Sequence, residues 1–164
     1  MSSINRLNLF LLIIIVILAA LKFLPKESEY YSLTSVAPDN IKVITISSQQ
    51  RQLVFKRNDP QWQLESSPEQ AIEKQSLSKL LDILKTHSYR QFETTENNLS
   101  AFGLNKPLYQ LTFDKLVIQF GITDPVQNLR YILLNDKIHL INDRYLQFFL
   151  VDEQFFFQKA DTEK

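Results

Sequence analysis

Thirteen consecutive apolar residues, Leu9 to Leu21, constrain this chain more than any other feature of its sequence. An amphipathic core helix keeps a polar stripe, and this run has none. Continued as a helix from Leu7 to Leu24, it would be about 27 Å long at 1.5 Å per residue, close to the hydrocarbon thickness of a bilayer. Lys22 can snorkel to the interface and Pro25 stops the helix. Residues 1–25 therefore read as an N-terminal transmembrane signal-anchor. A cleaved signal peptide is the competing reading, because its apolar region is typically about 7–15 residues. The natural cut, after Ala20, would put Leu18 where a small residue is preferred, which favours the uncleaved anchor. Arg6 precedes the run while Lys22 and Lys26 follow it, so the positive-inside rule is nearly balanced. The short N-terminus favours a cytoplasmic start. The expected location is the inner membrane of a Gram-negative cell, single-pass, with the C-terminal domain in the periplasm.

Beyond the run, periodicity predicts one α+β domain over residues 41–157. A polar linker over 26–40 precedes it and a polar tail over 158–164 follows. Ile41–Ser47, Gln52–Arg57 and the alternating Trp62 and Leu64 read as a meander, with a turn at Asn58-Asp59-Pro60. Leu77, Leu80, Leu81 and Leu84 recur at helical spacing. That helix starts either at Ser67-Pro68 or as late as Glu73, and ends near Thr86. Ser88–Glu93 reads as a strand. Leu99–Leu104 reads as one helical turn closed by Gly103, whose freedom at positive φ ends helices. Pro107 then prevents the helix continuing, and Gly121 marks a turn or bulge. Alternation at Tyr109, Leu111, Phe113, then Leu116, Ile118, Phe120, then Leu129, Tyr131, Leu133, and finally Ile138, Leu140 predicts a four-stranded antiparallel meander with one apolar face. A short helix around Tyr145–Leu150 is expected to pack on that face. The fold class is thus α+β, with antiparallel β-meanders around one main amphipathic helix.

The composition removes several chemistries. Eighteen basic residues balance eighteen acidic ones, so the concentrated basic surface that drives nucleic-acid binding is missing. With no cysteine, disulfides, thiolate metal sites and cysteine nucleophiles are excluded. With two glycines, so are glycine-rich phosphate loops. His87 follows the helix, where its cation would suit the C-terminal dipole. His139 is out of phase with Ile138 and Leu140 and is expected to face away from the core. The nearby acids are Asp136, read as turn chemistry, and Asp143, read as a helix cap. Glu93, Glu96, Asp124, Asp152 and Glu153 read as solvated. The residues therefore predict no catalytic centre, no cofactor and no metal site.

The notable excess is aromatic: Phe148-Phe149 and Phe155-Phe156-Phe157. No helix or strand buries three consecutive rings on one face. Two readings follow. The tail packs over the sheet with one ring exposed, or Phe148, Phe155, Phe156 and Phe157 form an apolar docking surface for a membrane partner.

The order of strands, Trp62-x-Leu64, leucine-rich helix, and then Phe102-Gly103-Leu104-Asn105-Lys106-Pro107 resembles the bacterial domain family of unknown function DUF-4340. Ile118-Gln119-Phe120-Gly121, Arg130-Tyr131 and Ile138-His139-Leu140-Ile141 are similar to its second half. The resemblance covers roughly Ile41 to Leu150, and Gly103-Leu104-x-x-Pro107 is its most specific element. It implies a membrane-tethered domain related to auxiliary subunits of gliding-motility-type ABC transporters, and it brings no catalytic residues. Two function classes follow. One is a non-enzymatic accessory domain that scaffolds or regulates a membrane complex. The other is a small-ligand or lipid-binding domain with a pocket beneath the helix.

Overall fold

The computed structural model describes residues 8–17 and 31–158. Residues 8–17 form a helix, α1, whose side chains from Leu9 to Ile17 are 36–62% exposed. Among the described residues no helix is long and apolar enough to cross a membrane. Leu7 and residues 18–24 of the expected span lie outside the described residues, as do 159–164 of the polar tail.

The domain is α+β and antiparallel, as expected, but the meanders do not surround the helix. Among the described residues, beside a two-stranded sheet, they form a single eight-stranded one with the helix across one face. Its strands are β2 (Val43–Ser48), β3 (Gln52–Asn58), β4 (Gln61–Leu64), β6 (Arg90–Glu93), β7 (Tyr109–Phe113), β8 (Leu116–Thr123), β9 (Leu129–Leu134) and β10 (Lys137–Asn142). They lie in the order β4-β3-β2-β7-β8-β9-β10-β6. The two meanders join where β2 pairs with β7, with Ile44 opposite Phe113 and Ile46 opposite Leu111. That pairing removes two open edges, each a row of unsatisfied backbone donors and acceptors.

Turn chemistry sets the hairpins. Asn135 and Asp136 both take positive φ, 48° and 58°, the conformation a two-residue hairpin needs between Leu134 and Lys137. Asp114, at φ 52°, turns β7 into β8, and its carboxylate accepts from the Val43 N–H at 2.9 Å.

From edge strand β4 the chain crosses one face through α2 (Lys74–Leu81) and a 3-10 turn, Asp82–Lys85. The later of the two expected starts is the real one: the Glu73 carboxylate accepts from the Gln75 N–H at 3.1 Å. Ser67 instead closes a turn, bridging back to Leu64. Leu77, Leu80, Ile83 and Leu84 are buried against Ile44, Phe55, Leu111, Phe113 and Ile118 of the sheet. The chain then reaches the far edge as β6, which pairs with β10, and returns to the middle across the opposite face through α3 (Glu96–Ala101).

The expected linker is partly domain. Tyr31–Ser32, β1, pairs with His87–Ser88, β5. Leu33 is buried in the core, and its N–H donates to the Thr86 carbonyl at 3.1 Å. Polar neighbours mask the apolar Leu33, Val36 and Ile41 that dock this segment.

The chain's two glycines meet where α3 lands on β8. Gly103, at φ 68°, completes a Schellman stop: its N–H donates to Ser100 O (3.2 Å) and that of Leu104 to Leu99 O (2.7 Å). A Cβ on Gly103 would lie 2.8 Å from Ile122 Cγ2, and one on Gly121 would lie 2.1 Å from the Phe102 carbonyl oxygen. The second clash is with backbone and cannot be relieved by a rotamer. Gly103→Ala should cost about 1–2 kcal/mol, the left-handed penalty. Gly121→Ala should cost more, up to about 3 kcal/mol or beyond, as overpacking against a fixed atom. Urea denaturation of the two variants checks the order.

Candidate functional site

The aromatic C-terminus is the first candidate. Residues Asp143–Leu146 (a 3-10 turn), α4 (Gln147–Leu150) and a second turn, Glu153–Phe156, lay it over the sheet. Phe156 is 0% exposed, with its ring 5.0 Å from that of Phe55 and 5.3 Å from that of Phe155. Phe148 and Phe157 are also buried, and Phe149 packs edge-on to Phe120 at 5.0 Å. Phe155 alone of the triplet is exposed, at 39%. Of the two readings, the structure matches the tail packed over the sheet with one ring exposed. Phe148, Phe156 and Phe157 are core, so the four residues do not form the alternative apolar docking surface. A chain turning in 3-10 steps can bury rings that a straight helix or strand would splay. The segment also closes α2, since the Phe156 carbonyl accepts the Glu73 N–H at 2.7 Å and Ile72 bridges Phe157.

The second candidate is an ion pair the sequence did not disclose. Arg130, buried on β9, reaches into the bulge of β8, where the register shifts between Phe120 and Thr123. Its Nη1 donates to the Gly121 carbonyl and its Nη2 to Thr123 Oγ1 at 2.7 Å. Its Nε pairs with Asp143, whose other oxygen accepts from Nη2 at 3.2 Å. Asp143 is therefore not the helix cap. Asn142 fills that role, accepting from the Arg144 N–H at 3.0 Å. The guanidinium satisfies backbone that the bulge unpairs, so its full set of partners reads as structural.

His139 does not face away from the core; it is buried, and its Nδ1 has no hydrogen-bond partner among the described residues. Alternation set it opposite Ile138 and Leu140, but the four strands do not share the single apolar face expected of them. Phe120 pairs with Ile132, and Ile132 with His139, so His139 lies on the main-core side. Leu133, Ile138 and Leu140 lie on the other, which is also covered. Ile141, two residues on, joins the main core. Ile138 and Leu140 share the opposite face with Leu129 and Tyr131. There Phe102 from the end of α3 stacks on Tyr131 at 4.0 Å and meets Phe92 at 5.3 Å. Burial, then the charge of Lys137, push the imidazole pKa below its ordinary 6.5.

The remaining motif residues are structural. Trp62 packs against the core with Arg57 6.0 Å over its ring, and Leu104 is buried beside Gly121. Pro107 is half-buried just before β7. Among the described residues no group of three or more His, Asp or Glu side chains could hold a metal ion. The space between sheet and helices is filled, and the clefts are at the surface. One of about 370 Å³, lined by Ser48, Gln50, Arg51, Tyr109 and Asp152 among others, is open, and Arg51 in it donates to the carbonyls of Phe149 and Val151.

Comparisons with protein-family models, with curated proteins and with solved structures gave no match.

Phe156→Ala should destabilise the domain by about 3–5 kcal/mol and Phe155→Ala by far less, as urea midpoints would show. His139 carries a sign-specific pH effect. Its folded-state pKa is depressed, so the unfolded chain binds the proton more tightly. Its contribution is complete above about pH 6.5 and is lost as pH falls through the folded value. Stability should therefore drop below that pH, and His139→Leu should flatten this part of the profile.

Proposed function

We propose that this chain is a non-enzymatic, membrane-tethered accessory module whose folded domain lies outside the cytoplasm and engages a membrane complex. The observation that carries the reading is the contrast between its two described parts. Residues 31–158 bury a filled core of Phe55, Phe113, Phe148 and Phe156 beneath α2. None of the α1 side chains from Leu9 to Ile17 is buried; every one stays exposed. Leaving so much contiguous apolar surface in water is unfavourable by about 25 cal/mol per Å². A bilayer is the environment in which such a segment is stable, and the apolar sequence continues to Leu21.

The filled core and open surface clefts weigh against the alternative, a pocket for a small ligand or lipid beneath the helix. The resemblance to DUF-4340 suggests the partner class, an ABC-type transporter. The element on which it chiefly rests, Gly103-Leu104-x-x-Pro107, acts here as a helix stop and names no partner.

A periplasm-dependent phosphatase fused after Lys164 tests topology directly. Activity, with the fusion retained in membranes through an alkaline carbonate wash, is the expected result. An inactive reporter would overturn the extracytoplasmic placement, and release by the wash would overturn the tether.

A further inference from the structure

The sheet has two unlike ends. At one lie the tight turns Asp114-Lys115 and Asn135-Asp136, with Asp59 beside Arg57 and Glu93 beside Lys137. This end is charged. At the other lie the turn after β2, the bulge in β8, the loop 124–128 and the β1–β5 ladder. Tyr31, Tyr89, Leu108, Ile122, Val126 and Leu150, all exposed, belong to this second end. Only two other large apolar residues of the described 31–158 are exposed, Val117 and Phe155. Scattered exposed apolar side chains are ordinary, but six gathered at one end are not.

Val126 is 88% exposed at the tip of a loop that is firmly held. Asp124 Oδ1 accepts from the Val126 N–H at 2.8 Å and the Gln127 N–H at 3.2 Å, and Oδ2 accepts from the Tyr131 hydroxyl at 3.2 Å. Asn128 closes the loop at φ 54°. Those bonds, that to the Val126 N–H foremost, hold the Asp124 carboxyl below its ordinary pKa. Two exposed cations flank the region: Arg90, close enough to Asp124 to act on its charge, and Arg144, close to Tyr89.

The tether joins the domain at this same end. Tyr31 is pinned opposite Ser88, one residue before Tyr89. From Leu24, the last apolar residue before Pro25, seven residue steps lead to Tyr31. Fully extended they reach no more than about 25 Å. A domain of ~130 residues has a radius of gyration of about 14 Å and is roughly 35 Å across. The tether is shorter than the domain, so the end carrying Tyr31 is held nearest the bilayer.

We propose that this strand-end surface docks on the phospholipid headgroup layer of the bilayer that holds the apolar helix. Val126 and the tyrosines enter the interface, and Arg90 and Arg144 lie at the level of the phosphates. Tyrosine rings suit that layer, apolar on the body and polar at the tip. The proposal rests on the tether argued above.

The absence of cysteine makes the test clean. Single-cysteine Val126→Cys, Tyr89→Cys and, at the charged end, Lys115→Cys versions of the full chain are labelled with a fluorophore. They are then reconstituted into phosphatidylethanolamine–phosphatidylglycerol vesicles containing a headgroup nitroxide. Quenching severalfold stronger at positions 126 and 89 than at 115 is expected. Equal quenching in protein that floats with the vesicles would overturn the docking alone and leave this end to a protein partner. Protein that does not float with the vesicles would overturn the tether and the docking together.

Discussion

The ladder between β2 and β7 is the joint on which the fold turns. Its residues lie about sixty-five positions apart, with Thr45 opposite Thr112 and Ile46 opposite Leu111. Closing so long a loop costs entropy that no local contact repays. What repays it is continuity: once joined, the two meanders present one apolar surface wide enough for α2 and the C-terminal turns to cover. Without it, each meander would keep an open edge and half a core. The long excursion from β4 to β6 and back follows from this joint, because the chain must leave and re-enter a sheet whose centre is already defined.

Two unlike devices then hold the sheet's irregular half. The bulge in β8 leaves the Gly121 carbonyl without a strand partner, and Arg130 supplies one while Asp143 balances its charge. On the opposite face, the absence of a side chain at Gly121 lets the Phe102 carbonyl come close enough to accept the Ile122 N–H at 2.9 Å. A cation on one side and an empty volume on the other stabilise the same three residues of backbone.

Much of this was written locally. The hairpin at Asn135-Asp136, the helix stop at Gly103 and the strands from Tyr109 to Leu140 follow from turn chemistry and alternation, which act over a few residues. The joining of the meanders was not legible, since alternation gives a strand its faces but not its neighbours. The same limit explains His139: the pattern placed it opposite Ile138 and Leu140 without showing that its own face, shared with Ile132, is the main-core one. Arg130 and Asp143 lie thirteen positions apart on different elements, and the β9–β10 ladder, which sets Arg130 opposite Ile141, brings them together. For the candidate site, clustered phenylalanines announced burial and exposure equally well. The 3-10 turns that sort Phe155 from its neighbours depend on tertiary contacts with α2. The exposed end of the sheet was invisible, because its six apolar residues come from five separate stretches of chain.

Closure of α2 by Phe156 and Phe157 has a temporal meaning as well as a spatial one. A ribosome delivers residues in order, so Leu77, Leu80 and Ile83 emerge long before the rings that cover them. β6 likewise waits for β10, its only ladder partner among the described residues. A nascent chain that has reached residue 130 already holds the sheet residues on which α2 packs, but it lacks the C-terminal rings that close the helix and the strand that pairs with β6. The core of this domain is therefore complete only once its last described residues have been made.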